Sequence, residues 1–377
     1  MTSDSTTAAA AAVPSSTSST AGIARVLAKL SKSVDDGNYY EAHQMYHSVS
    51  RRYLRTDPAA ACELLHQGAL NMLRHDQIGS AADLAQRLLD VYESVPIRVT
   101  DAERGSQART RLLDIFQAFP LKTEQCDNVV RAAVKWSARG DGAAPLGDPQ
   151  IHHAIGSRYY AEKQYFDAES HFMYGTLDSA RAWARMALEW STEGYFPDPG
   201  YFVARAVLPY LALRKIGSAA VMFETFVQRI DKAAANSGSA DAEAEAGTST
   251  AAASQRWAGI KGAALPFSSA DGSESFPLAL YASSLINFCQ LLIICVQRDA
   301  ATQFTALRAR YRDVLAFDGY LVELVEKIAE VFFDLGPKKP VNPLEAMMKS
   351  LFAGPSPSAP ASSPRRALEP TQMADMD

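Results

Sequence analysis

The sequence predicts an all-α protein: a right-handed α-solenoid of TPR-like helical hairpins, with one short β-hairpin towards the C-terminal half. Two observations carry this. The first is a helix–turn–helix pattern in the opening segment. Ile23, Val26, Leu27, Leu30 and Val34 fall at i, i+3, i+4, i+7 and i+11, one face of a helix. Asp35-Asp36-Gly37-Asn38 then breaks it, because Gly and Asn accept the positive φ that ends helices. Tyr39, Ala42, Met45, Tyr46 and Val49 form the apolar face of the next helix. Ala42 is the small member of that face, and a small residue lets antiparallel helices approach closely.

The second observation is that this unit recurs. Ile78, Ala81 and Leu84 take the places of Tyr39, Ala42 and Met45. Tyr165, Ala168 and Phe172, and then Ile216, Ala219 and Phe223, take the places of Tyr39, Ala42 and Tyr46. The alanines at 42, 81, 168 and 219 lie 39, 87 and 51 residues apart. A hairpin repeat of about 40 residues, one missed and one stretched, fits that series. A lone hairpin leaves its apolar face uncovered, so each must stack on its neighbour.

The elements follow in order. Asp57-Pro58 is a cap followed by a first-turn proline, opening a helix with Ala61, Leu64, Leu65, Gly68, Ala69 and Met72 at helical spacing. Gly68 costs about 1 kcal/mol inside a helix and marks a close crossing. Ser80 reads as the cap of the partner helix, which Pro96 ends. Thr100-Asp101 starts a helix running to Phe119, and Thr123–Trp136 is the next. Asp148-Pro149 repeats the earlier cap. Helices then follow over Ala180–Trp190, Phe202–Lys215 with Pro209 inside, and from Ser218 to about Lys232. The helices resume at Pro277, with others near Thr302–Leu315 and Tyr320–Leu335 and a short terminal one at Leu344–Phe352. Trp257, Ile260, Leu265 and Phe267 are the anchors of the short hairpin.

Composition divides the chain. Residues 1–20 read as a disordered tail, 21–232 as an N-terminal helical-repeat part, 233–275 as a low-complexity insertion of Ala, Ser, Gly, Asp and Glu, 276–353 as a C-terminal helical part, and 354–377 as a second tail. The 47% hydrophobic content supplies a sizeable core, and a net charge of −5 argues against general nucleic-acid binding. Cys62, Cys126, Cys289 and Cys295 make no C-x-x-C pair and imply a reducing compartment. No signal or transit peptide precedes the repeats, which points to the cytosol. Phe276–Gln297 carries no charge, yet Pro277, Ser283, Ser284, Asn287, Gln290 and Gln297 interrupt it, so it reads as a helix buried on most sides rather than a membrane span.

Candidate chemistry is sparse. His43 and His47 are four apart on one helix, and Cys62 and His66 four apart on the next, so antiparallel packing would bring four zinc ligands together. The zincin helix motif needs Glu where Gln44 stands, and edge side chains are the plainer reading, so no metal is assigned. His152 and His153 point about 100° apart and do not converge with Asp148 on one reaction. His171 lies within a repeat unit and reads as structural. Phosphate-cradling and nucleophile-elbow motifs are absent, and Trp136, Trp183 and Trp190 read as core. The chain is therefore read as a non-enzyme without cofactor. Arg51, Arg52, Arg55 and Arg74 form a basic cluster beside the acidic Asp76, Asp83 and Asp90, the kind of mixed-charge face that selects a partner.

Several blocks carry a resemblance: Asn38–Tyr46, Arg52-Tyr-Leu-Arg55, Gln67-Gly-Ala-Leu70, Ala82-Asp-Leu84 and Leu89–Glu93. Gly147-Asp-Pro149, Ile155-Gly-Ser157, Phe172-Met-Tyr-Gly175, Ile286-Asn-Phe288, Gln290-Leu-Leu292 and Pro337-Lys338 continue it. From about Ile23 to Ala353 the chain resembles the Golgi-to-ER traffic protein 4 family, the solenoid subunit of the pathway for guided entry of tail-anchored proteins. The resemblance implies a cytosolic adaptor. Its N-terminal hairpins would dock the targeting ATPase and regulate its nucleotide state. Its C-terminal half would hold a ubiquitin-like subunit that recruits a co-chaperone, with no direct membrane insertion and no nucleic acid. Carried over, Arg55 and Asp83 would face the ATPase, with Arg25, Lys29 and Lys32 beside them, and Phe288, Leu292, Phe332 and Phe333 would face the ubiquitin-like partner. The insertion at 233–275 departs from the family pattern in being longer and simpler. The rival readings are a generic α-solenoid scaffold subunit of a lid or coat assembly, indifferent to any ATPase's nucleotide state, and a metal-dependent enzyme, which would carry stoichiometric metal.

Overall fold

The structure, a computed structural model, describes residues 16–193, 198–236, 261–265 and 278–335. It is an all-α solenoid with one two-stranded antiparallel hairpin. The first hairpins are α1 (Ser16–Asp35) with α2 (Tyr39–Thr56), and α3 (Pro58–Arg74) with α4 (Ile78–Ser94). Then come α5 (Arg104–Ala118), α6 (Glu124–Ser137), α7 (Pro149–Ala161), α8 (Tyr165–Phe172), α9 (Leu177–Glu193), α10 (Gly200–Ala212) and α11 (Ile216–Asn236). Strands β1 (Lys261–Leu265) and β2 (Leu278–Tyr281) precede α12 (Ser284–Gln297), α13 (Ala301–Arg310), α14 (Arg312–Leu315) and α15 (Gly319–Phe333). Each helix packs on its partner and on the next hairpin: α2 on α3, α3 on α5, α5 on α7, α7 on α9.

One turn geometry is stamped repeatedly along the chain. Gly37, Asp76, Lys163 and Arg214 each take a positive φ just after a helix. The next amide then donates to the carbonyl five residues back: Asn38 to Ser33 O, Gln77 to Met72 O, Gln164 to Tyr159 O and Lys215 to Tyr210 O. This is the left-handed helix stop that satisfies orphan carbonyls. Four residues later the amides of Ala42, Ala81, Ala168 and Ala219 bond the carbonyls of Asn38, Gln77, Gln164 and Lys215, and all four alanines are fully buried. The periodicity therefore marks identical supersecondary units. A fifth copy sits at Asp299-Ala300, with positive φ at Asp299 and the Ala300 amide bonded to Cys295 O. There the small position is Phe304, which hides the unit from a search for alanine.

Close crossings are made by glycine against an aromatic ring. A Cβ on Gly68 would lie 2.8 Å from Tyr46 Cδ1, and one on Gly156 would lie 2.7 Å from Phe172 Cδ1. Tyr46 and Phe172 occupy the same place in their units. Asp57 accepts from the Ala60 amide and Asp148 from those of Gln150 and Ile151, so the two Asp-Pro caps form as the sequence expects; Thr123, read as the first residue of its helix, instead caps α6 by accepting from the Cys126 amide.

Several boundaries are corrected. Ser80 does not cap α4; the helix opens at Ile78 behind Gln77, because the repeated turn sets its start. The α5 helix starts at Arg104 rather than Thr100, since the Asp101 side chain accepts from the Arg98 amide in a tight turn. The stretch after Pro277 opens as strand β2, and its helix begins only at Ser284. The polar residues of that apolar stretch explain why. Asn287 accepts from Tyr281 N at 2.9 Å and donates to Tyr281 O at 2.6 Å. Gln290 donates to Ala279 O at 3.2 Å, and Ser283 caps α12 while donating to Asp198 at 2.6 Å. They pin the hairpin's edge onto α12. Leu265 pairs with Leu278 across the hairpin; Trp257, Ile260, Phe267 and the helix expected at Leu344–Phe352 lie outside the described residues. No helix among the described residues is long and apolar enough to cross a membrane.

Candidate functional site: a charged face on the first two hairpins

Helix α2 carries His43 and His47 one turn apart, and stacking of the second hairpin brings Asp83 of α4 over them. His43 Nε2 lies 3.1 Å and His47 Nε2 2.5 Å from Asp83 Oδ2, and the two Nε2 atoms are 3.2 Å apart. The imidazoles are largely covered, at 16% and 24% exposure, whereas the Asp83 side chain is 54% exposed. Asp83 thus stands at the surface on a base of two imidazoles. Arg51, Arg52 and Arg55 follow along the exposed side of α2, and Arg25, Lys29 and Lys32 are exposed on α1. Leu30 and Val34 are buried, and Ile23, Val26 and Leu27 pack against the core, so these cations occupy the face opposite the apolar stripe. Arg55 stands in the last turn of α2, about 12 Å along the axis beyond His47. Arg51 follows His47 by one turn on the Asp83 side of α2, whereas Arg52 turns to the opposite side.

The sequence-suggested ligand quartet is not assembled. Cys62 is buried, and burial pushes its thiol up to about 11. His66 points to α5, its Nε2 3.3 Å from Asp114, and burial lowers its pKa. Helix α3 turns this face towards the next hairpin, away from α2's histidines. Asp83, which the sequence placed with the charged surface and not with the histidines, is their actual companion.

The remaining histidines are structural. His152 Nε2 donates to Leu146 O at 3.0 Å, so its Nδ1 accepts from His171 Nδ1, also at 3.0 Å. Burial holds His152 below its usual value and His171 down to about 4. His153 turns instead to Ser179 Oγ at 2.9 Å, so the adjacent pair diverges as their helical spacing requires. Trp136 and Trp183 are core, while Trp190 is half-buried between Tyr165 and Phe202 under the Arg205 guanidinium.

The C-terminal part is held by a polar chain that sequence reasoning did not find. Arg205 of α10 pairs with Glu169 of α8 through Nη2 and Nε, and its Nη1 lies 3.4 Å from the Tyr201 hydroxyl. Tyr201 donates to Asp318 at 2.8 Å, and Asp318 caps α15. Of the residues expected to face a second partner, Phe288 and Leu292 have no exposure and Phe333 stacks on Phe304. All three are core residues: α12, which carries Phe288 and Leu292, lies between α10 and α13, and Phe333 of α15 packs on Phe304 of α13. Phe332 alone is partly exposed, beneath the Arg214 guanidinium. Outward apolar surface comes instead from Leu280, Phe317, Tyr320, Val322 and Leu335. On α15 Tyr320 and Val322 fall off the buried Leu321–Val325–Ile328 stripe, a signal legible in the helical spacing.

Known proteins align with this architecture. A family model described as Golgi to ER traffic protein 4 matches residues 55–352. The Golgi to ER traffic protein 4 homologs of Bos taurus and Homo sapiens are 30% and 29% identical over 320 residues, covering 84% of this chain and 83% and 82% of theirs. Golgi to ER traffic protein 4 of Aspergillus fumigatus is 29% identical over 346 residues, covering 89% of this chain and 91% of its own. The crystal structure of C. therm. Get4 is similar at a TM-score of 0.67 and 28% identity, covering 91% of this chain and all of that one.

Proposed function

The chain belongs to the Golgi to ER traffic protein 4 family, and from that premise we propose that it is a cytosolic adaptor for targeting tail-anchored membrane proteins to the endoplasmic reticulum. Membership supports a role in Golgi-to-ER traffic; the finer reading is ours. The adaptor bridges the targeting ATPase and a ubiquitin-like subunit that recruits a co-chaperone, and it works by binding, without an active site or cofactor of its own.

The observation that carries this is the charged face of α2 and α4. Asp83 is exposed yet fixed by two imidazoles, so little side-chain entropy is lost when it meets a cation on a partner. The exposed Arg51 and Arg55 further along α2 supply the opposite sign and set orientation, with Arg52 exposed beside them. Arg25, Lys29 and Lys32 extend it along α1. For the ubiquitin-like partner, the exposed Tyr320 and Val322 and the partly exposed Phe332 of α15 replace the buried Phe288, Leu292 and Phe333 as contacts.

The test is binding of the full chain to the targeting ATPase, with and without ATP, for the wild type and Asp83→Lys. ATP-favoured binding, or altered ATP turnover, that the reversal abolishes is the expected result. Binding that survives Asp83→Lys removes the site from this face. No binding in either nucleotide state, with the ubiquitin-like subunit present, overturns the adaptor reading.

A further inference from the structure

We propose that His43, His47 and Asp83 form a binding site for a divalent transition-metal ion of the zinc class. The metal would bridge the first and second hairpins. The two histidines sit one helical turn apart on α2, and the carboxylate comes from α4, so no single element holds the site. All three donor atoms lie within 4.8 Å of one another. Nε2 of His43, Nε2 of His47 and Oδ2 of Asp83 form a triangle with edges of 3.1, 2.5 and 3.2 Å. Tetrahedral zinc, with bonds of about 2.0–2.1 Å to nitrogen and oxygen, needs donors about 3.3 Å apart. Two edges are already within a few tenths of an ångström of that. The short one opens by a small rotation of the Asp83 carboxylate, the most exposed of the three side chains.

The hydrogen-bond inventory of the cluster supports the same conclusion. One carboxylate oxygen faces two imidazole nitrogens that also face each other. If both nitrogens carry protons, two N–H dipoles lie side by side on one acceptor. If only one does, the other nitrogen turns a lone pair towards the carboxylate. A cation in the centre removes the conflict, because all three lone pairs then converge on one positive charge. Two imidazoles exclude calcium and magnesium, which take oxygen ligands, and favour zinc or its neighbours. The exposure of Asp83 leaves a further coordination position open to water. Alternative ligands are out of reach: Cys62 is buried on α3, and His66 turns to Asp114.

The site shares Asp83 with the docking face of the adaptor reading, and its test uses the metal alone, so the two can fail separately. Full-length chain stripped with chelator is titrated with cobalt(II), followed by visible d–d absorption, and then with zinc as competitor. One equivalent is expected to bind, zinc to displace it, and added zinc to raise the melting temperature. His47→Ala and Asp83→Asn should each weaken binding at least tenfold and abolish the thermal shift. His75→Ala, whose Nε2 lies 3.1 Å from Asp35 and not in the cluster, should change neither. Far-UV circular dichroism controls for folding, since all three side chains edge the surface. Absence of saturable binding overturns the proposal, as does binding that survives both site variants or that falls equally in His75→Ala. His47→Ala leaves the Asp83 charge in place, so metal loss and ATPase docking are read separately.

Discussion

Replacing Arg205 with Met tests the buried ion pair that ties α10 to α8. Arg205 and Glu169 side chains are 20% and 10% exposed, so their pairing is made almost out of water. Arg205→Met removes the guanidinium from over the Trp190 and Tyr201 rings and leaves the Glu169 carboxylate buried without its cation. Breaking such a pair costs about 3–5 kcal/mol, and the partial exposure here places the expectation near about 3 kcal/mol at pH 7. With a urea slope of about 3 kcal/mol per M for a chain of this size, the midpoint falls by about 1 M. Burial already raises the Glu169 pKa, and Arg205 opposes that rise. Without Arg205 the folded-state value climbs further above the unfolded one. A carboxyl whose folded pKa is raised loses stability as pH increases, so lowering the pH from 7 to 5 restores part of the loss. The assay is urea unfolding of wild type and variant at both pH values, compared as differences so that other titrations cancel. Glu169→Gln combined with Arg205→Met should recover most of the loss at pH 7, because neither partner is then left charged. An equal loss at pH 5 and pH 7, or a double variant no better than the single one, refutes the reasoning.

Three further outcomes are expected. Acidification from pH 6.5 towards 4 should destabilise the protein by up to about 3 kcal/mol through His171, held down to about 4 by burial, because the unfolded chain takes up the proton first in that window; thermal melts across this range should flatten in His171→Gln. Gly68→Val should cost about 1–3 kcal/mol by forcing a branched side chain against Tyr46 and Leu84, while Gly79→Ala, with open space around it, should gain about 0.5 kcal/mol, both read from chemical denaturation. Asn287→Leu removes both bonds that hold Tyr281, so amide exchange of β2 should quicken about tenfold, as loss of roughly 1–2 kcal/mol requires, while α3 and α4 stay as protected as before.

Much of the N-terminal half was legible because its signals are local. A left-handed turn residue, a cap and an alanine four residues on lie within one short window, and their chemistry is the same wherever they stand. The helix caps at Asp57 and Asp148 are equally local. The C-terminal part was less legible. Ser284–Gln297 is apolar on nearly every side, so its spacing does not say which face is covered. Phe288 and Leu292 consequently read as partner contacts although α10 and α13 enclose them. Strand β2 was missed because four residues, Leu278–Tyr281, carry too little pattern to separate from the helix they precede.

The sequence by itself determined the class, the repeated unit, and the pairing of His43 with His47 on one helical face, since each follows from the backbone's own period. Only the tertiary structure decided what stands opposite that face. Asp83 is 36 residues from His47, and nothing in the intervening chain specifies their meeting. The meeting depends on the rotation and offset with which the second hairpin stacks on the first. The contact of Gly68 with Tyr46 and Leu84 sets that offset, and it exists only once both hairpins are folded. The same holds for the Glu169–Arg205–Tyr201–Asp318 chain, whose members come from two helices, α8 and α10, and the cap of α15.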